Sequence, residues 1–143
     1  MASFIFNNAK LLLANGGIDW DGDTIKVLLT HTSNPSASDD YVDDLAAIEP
    51  AASGNYARKT LTCDAPALVG SVAKLDAADL AGASAWGSLT SSTNPITGLV
   101  VFKDLGGADS ANPLIAFIDF ADVTTNGGDL SITWNAEGIL KIA

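Results

Sequence analysis

Residues 112–143 read NPLIAFIDFADVTTNGGDLSITWNAEGILKIA, and the fold class turns on how they are read. Leu114, Ala116, Ile118 and Phe120 alternate with Ile115, Phe117 and Asp119, so both faces of this run are apolar until its end. Leu130, Ile132 and Trp134 alternate with Asp129, Ser131 and Thr133, the period-two pattern of a half-buried strand. Asn126-Gly127-Gly128 tolerates positive φ and can turn the chain between them, and Asn135 to Gly138 does the same before Ile139–Ile142. The reading predicts an antiparallel β-meander at the centre of a β-sandwich.

Working outward, 143 residues are enough for one domain with a core of its own, here 1–143. The hydrophobic fraction of 48% and mean hydropathy of +0.26 argue against disorder. No apolar run reaches the ~18 residues of a membrane helix, so no membrane partner is expected. The N-terminus has no basic start, and Asn7, Asn8 and Lys10 interrupt its apolar stretch. It reads as a retained segment of a protein made in the cytosol. Seven basic against seventeen acidic residues give a net charge of -10, which argues against nucleic acid, since phosphate needs a positive surface. Cys63 is the single cysteine and reads as a packed thiol.

Residues 1–17 are expected to form an N-terminal helix or arm. Ser3 is the expected cap, Ile5, Ala9, Leu12 and Leu13 the inward stripe, and Asn15-Gly16-Gly17 the stop. A strand at Phe4-Ile5-Phe6 competes with it. Thr24–Thr30 is a strand on its Ile25, Val27, Leu29 alternation. Residues 31–56 form a long acidic excursion, of a length that suggests function or partial helicity, with Tyr41, Leu45 and Ile48 on one side of a possible turn of helix. Strands are read at 57–62, 72–76 and 96–103, with Asp64-Ala65-Pro66 as the turn joining the first two. Residues 76–86 are either helical or an irregular crossing. Seven to eight strands spaced by roughly ten residues fit an antiparallel β-sandwich or jelly-roll-like domain with a short N-terminal helix.

The candidate chemistry is sparse. Asp19, Asp21 and Asp23 start like a Ca²⁺ loop. The glycine is misplaced at Gly22, however, and Thr30 stands where the bidentate glutamate belongs, so a capped turn is the expectation. Asp39, Asp40, Asp43 and Asp44 form a second acidic group, expected to be solvated. His31 is the only histidine, and no nucleophile elbow accompanies it or Cys63. No cofactor and no catalytic residue is assigned. Trp20, Trp86 and Trp134 leave sugar stacking as a second possibility, but core or interface is the favoured reading: Trp134 lies in the inward phase of its strand, and Trp20 and Trp86, at strand edges, fit core plugs or interface anchors.

Six blocks together carry a resemblance: GDTIKVLLT (22–30), YVDDL (41–45), DAADLAGASAW (76–86), GLVVFKD (98–104), NPLIAFIDF (112–120) and SITWNAEGILKI (131–142). The layout resembles small virion structural proteins of tailed bacteriophages, whose pattern runs GDTxKVxL, DAxDxxW, AVIYKD, PLxxYIDF and xITWxxxGI. Phe102 stands where tyrosine is common, and the alanine-rich segment 76–86 is longer than usual. The resemblance implies a non-enzymatic particle component, with head decoration (cement) preferred over a tail or fibre adhesin. It implies a homotrimer on the outer capsid surface whose partner is the major capsid protein. Phe4, Ile5 and Phe6 of the arm, and Tyr41, Leu45 and Ile48 of the excursion, are the expected capsid or subunit contacts.

Overall fold

The computed structural model describes residues 2–52, 55–93 and 95–143. Among them, eight strands form two antiparallel sheets, with a single α-helix. The frame is built from the three longest strands: β2 (Ile25–His31), β6 (Ile96–Lys103) and β7 (Leu114–Val123). Their register puts Val27, Val101 and Ala116 in one row and Leu28, Val100 and Phe117 in the next, on opposite faces of the sheet. All six are fully buried. Both faces are covered, which is why these strands read as continuous apolar runs.

Two short strands complete this sheet in the order β1-β7-β6-β2-β3, with β1 at Phe4–Ile5 and β3 at Lys59–Thr60. Phe117 reaches across to β6 at the one place where no side chain blocks it. A Cβ on Gly98 would stand 2.7 Å from the Ile118 carbonyl oxygen and collide with the Phe117 ring. The second sheet is β4 (Ala67–Val69), β5 (Val72–Leu75) and β8 (Leu140–Ile142), in that order. Its Leu75 and Leu140, paired in register, are buried in the common core. The result is a β-sandwich-like fold divided five and three.

The N-terminus uses both competing readings in succession. Phe4–Ile5 pairs with Phe117 and Ala116, and then α1 (Asn7–Ala14) begins. Ser3 does not cap the helix; its Oγ accepts the Asp119 amide at 2.9 Å and pins the arm to β7. The glycine stop behaves as expected, with Gly16 at φ +76° and the Gly17 amide donating to the Leu12 carbonyl at 2.7 Å.

The terminal meander does not form. Asn126 (φ 47°) and Gly127 (φ 91°) do turn the chain, but the turn leaves the sheet. β6 takes one side of β7 and β1 the first half of the other, and the next run leaves the second half of β7 open and pairs with segment 76–86 instead. Leu130 and Trp86 exchange both amide bonds, at 2.7 and 3.0 Å, and Ile132 and Leu80 do the same at 2.9 Å each. The segment 76–86 is thus the irregular crossing, with a 3-10 turn at Gly82–Ser84. Pro66 is likewise no hairpin turn: β4 follows it directly, and the hairpin turns at Gly70 (φ +64°).

The excursion is packed rather than loose. Its helical part is a 3-10 turn, Val42–Leu45, whose Val42 and Leu45 side chains are core residues. The Val42 amide donates to the Asn112 carbonyl, and the Leu114 amide to the Asp40 carbonyl, both at 3.0 Å. At its far end Arg58 grips Glu49 with Nε and Nη2 and Asp109 with Nη1 and Nη2, while its guanidinium lies 5.4 Å above the Phe102 ring.

Candidate interaction site

Most of the sequence-derived chemical candidates resolve into structural bonds. Asp19 and Asp23 close a turn on each other: the Asp19 amide donates to Asp23 Oδ2 at 2.8 Å, and Gly22 donates to Asp19 Oδ1. Asp23 also pairs with Lys103 at 2.7 Å. Burial pushes the Asp23 carboxyl up, but the Lys103 bond, the Asp19 amide and the lysine charge outweigh it, and its pKa lies below the usual carboxylate range. In the second acidic group, Asp39 accepts the Ser36 amide, and Asp44 accepts the Asp40 and Tyr41 amides. Among the described residues, no group of three or more His, Cys, Asp or Glu side chains is placed to hold a metal ion.

His31 and Cys63 belong to opposite ends of β2. The His31 amide donates to Ile48 at one end, whereas the Leu61 amide, two residues before Cys63, donates to Ile25 at the other. Six residues of strand separate them, ~20 Å, so they cannot act as a pair. Burial first, then the charges of Asp64 and Asp21, push the Cys63 thiol up to about 11. Among the described residues, no helix is long and apolar enough to cross a membrane.

Trp20 and Trp86 are core plugs, and Trp134, expected to face inward, is the one that reaches the surface. Trp20 and Trp86 are 2% and 0% exposed, with indole N–H groups bonded to the Asp76 and Ala57 carbonyls at 2.8 and 2.7 Å. Neither can stack on a ligand. Trp134 is the half-exposed one, held by its Nε1 bond to Ala78 and its amide bond to Asp79.

Trp134 stands on the wall of an open, mainly apolar groove of about 620 Å³. Ile118, Phe120 and Val123 of β7 form one wall, and Ile132, Trp134 and Ile139 the other. The groove arises because the second half of β7 outruns β1, which pairs only Ala116 and Phe117. It continues as a shallower cleft between β1 and β8, then as a hollow between α1 and the chain's C-terminal strand, lined by Ile5, Leu13 and Ile142. One flank of the sandwich therefore carries a mainly apolar seam, with Lys141 between the cleft and the hollow.

The expected contact residues divide sharply. Phe6 and Leu45 are fully buried in the core, so neither side chain is available to a partner. Phe4 and Ile5 are half-buried and border the cleft, Ile48 is half-buried, and Tyr41 is 39% exposed. The seam itself was missed in the sequence because Ile118, Phe120, Ile132 and Ile139 look like ordinary inward strand residues. Only the absence of a strand beside them exposes them.

No family model, curated protein or solved structure matches this chain.

Proposed function

We propose that this chain is a non-enzymatic structural component of a tailed-phage particle, with capsid decoration as its placement. Its partners in this reading are the major capsid protein and further copies of itself, as a homotrimer on the outer surface of the head. The resemblance in the sequence blocks suggests the class. The observation that carries the reading is the apolar seam, together with exposed Leu68, Val69 and Ile142, on a chain of net charge -10. A strongly acidic surface keeps a free subunit soluble, while a half-buried apolar groove and a few exposed apolar side chains offer surface that assembly would cover.

Tyr41 and the half-buried Phe4, Ile5 and Ile48 remain contact candidates; Phe6 and Leu45 act through the core. Immunogold labelling of purified particles with antibody against this chain tests the placement. Gold over the heads supports decoration, gold restricted to the tail overturns it in favour of a tail or fibre component, and unlabelled particles overturn the virion reading. Trp134 in an open groove favours one second reading, a sugar-binding adhesin. That reading predicts glycan binding lost in Trp134→Ala.

A further inference from the structure

The chain contains the same tripeptide twice, Asn15-Gly16-Gly17 and Asn126-Gly127-Gly128. An asparagine followed by glycine is open to attack on its own Cγ by the next backbone nitrogen, because glycine has no side chain to obstruct the approach. Asn34, Asn94 and Asn112 precede proline, whose nitrogen has no hydrogen to give up. Asn15 and Asn126 are both exposed, yet the fold holds them differently.

At the second copy the nitrogen that would attack is tied down. The Gly127 amide donates to the Leu89 carbonyl at 2.5 Å, and the Leu89 amide donates back to Gly128 at 2.9 Å. At the first copy, the peptide unit joining Asn15 to Gly16 makes no hydrogen bond, through its N–H or its C=O, among the described residues. Its surroundings are fixed instead. The Asn15 amide donates to Leu11, the Gly17 amide to Leu12, and the Gly17 carbonyl accepts Lys103 Nζ at 3.0 Å. This single unit can therefore flip while the helix end and Gly17 stay in place. The flip turns ψ of Asn15, now 6°, and φ of Gly16, now +76°, in opposite senses. Gly16 lacks a Cβ and has open space where one would stand, so the change meets no obstacle.

We infer that Asn15 is a site of spontaneous deamidation through a succinimide, and that the fold protects Asn126 from the same reaction. The flip carries the Gly16 nitrogen to the side-chain side of Asn15. That nitrogen gives its proton to hydroxide and bonds to Cγ. The Cγ–Nδ2 bond then breaks, and the side-chain nitrogen leaves as ammonia with a proton taken from water. Charge develops meanwhile on Oδ1, which the Gly17 amide already approaches as a donor at 3.0 Å. Water opens the five-membered ring at either carbonyl, leaving aspartate or isoaspartate at position 15. Either product adds a negative charge at the C-terminal end of α1, where the helix dipole opposes it and no basic residue of the last turn offsets it. The inference does not rest on the particle reading.

The test incubates the full chain in mildly alkaline buffer and follows both positions by peptide mass mapping with an isoaspartate assay. Conversion is expected first at position 15. Position 126 should lag by about tenfold, the factor supplied by one hydrogen bond that must break beforehand. In urea, where the two tripeptides are equivalent, the positions are expected to convert at comparable rates. Asn15→Gln, with folding checked by circular dichroism, should lose the early acidic form seen on ion exchange, whereas Asn126→Gln should retain it. Equal rates in the folded chain, or earlier conversion at position 126, overturn the inference. It is overturned too if Asn15 stays intact in the folded chain while urea allows conversion, or if the lag at position 126 persists unchanged in urea.

Discussion

Arg58 holds Glu49 through two parallel bonds, Nε to Oε1 at 2.8 Å and Nη2 to Oε2 at 2.7 Å, and so ties the end of the acidic excursion to the strand that follows it. Tyr56 adds to the same carboxylate at 2.8 Å while accepting the Leu29 amide from β2. On the other side of the guanidinium, Asp109 fastens the loop before β7. One planar cation therefore joins three separate segments to the large sheet.

Replacing Arg58 by lysine keeps the charge but loses the fork that grips two carboxylates. Because Glu49 is largely buried, the substitution is expected to cost about 1–3 kcal/mol, read as a lower urea midpoint with unchanged slope. Glu49→Gln is expected to fall in the same range. Arg58→Lys with full stability would show that the clamp is ornamental.

Below about pH 4, near the ordinary Asp value, the protein is expected to lose stability. Asp104 is lowered chiefly by its bond to Lys26, Asp109 by its bond to Arg58, and Asp44 by the Asp40 amide. A carboxyl lowered in the folded state contributes stability above its unfolded pKa and loses it as pH falls through the folded value. Melting temperature measured from pH 6 down to pH 2 should fall. Lys26→Met should flatten the fall, whereas an identical profile in that variant would remove Asp104 from the account.

Cys63 is expected to resist thiol reagents at neutral pH. With its thiol pushed up to about 11, thiolate is scarce at pH 7.5, and the reaction rate should climb steadily toward that value. Folding favours the protonated thiol, so this group's contribution to stability is present at neutral pH and is lost as pH rises from the unfolded value toward 11. Rapid labelling at pH 7.5 would contradict the buried environment.

Tryptophan emission should divide in the same way as burial. Trp134→Phe is expected to remove most of the acrylamide-quenchable fluorescence. Trp20→Phe and Trp86→Phe should remove shielded emission and also lower stability, by about 1–3 kcal/mol, because each gives up an indole hydrogen bond and part of a buried ring.

Gly98→Ala is expected to destabilise by about 1–3 kcal/mol, since the added methyl meets the Ile118 carbonyl and the Phe117 ring with no room to yield. Adding Phe117→Leu should recover part of the loss. No recovery would place the strain in the backbone instead.

The sequence alone determined the strands that carry the frame. Apolar runs such as 96–103 and 114–120 have no polar side on which to face water, so they become central strands wherever the chain places them. It also determined the turns, because Gly16 and the Asn126-Gly127 pair offer backbone angles that other residues resist. Partner choice was decided only in three dimensions. The run at 130–132 has the same period whether it pairs with β7 or with Leu80 and Trp86, and only the folded chain shows that it takes the second pairing and leaves the second half of β7 open. The candidate site followed the same logic. Side chains such as Phe120 and Ile132 point inward by their period in either case. Whether inward means core or open groove depends on whether another strand lies alongside, and local sequence carries no record of that.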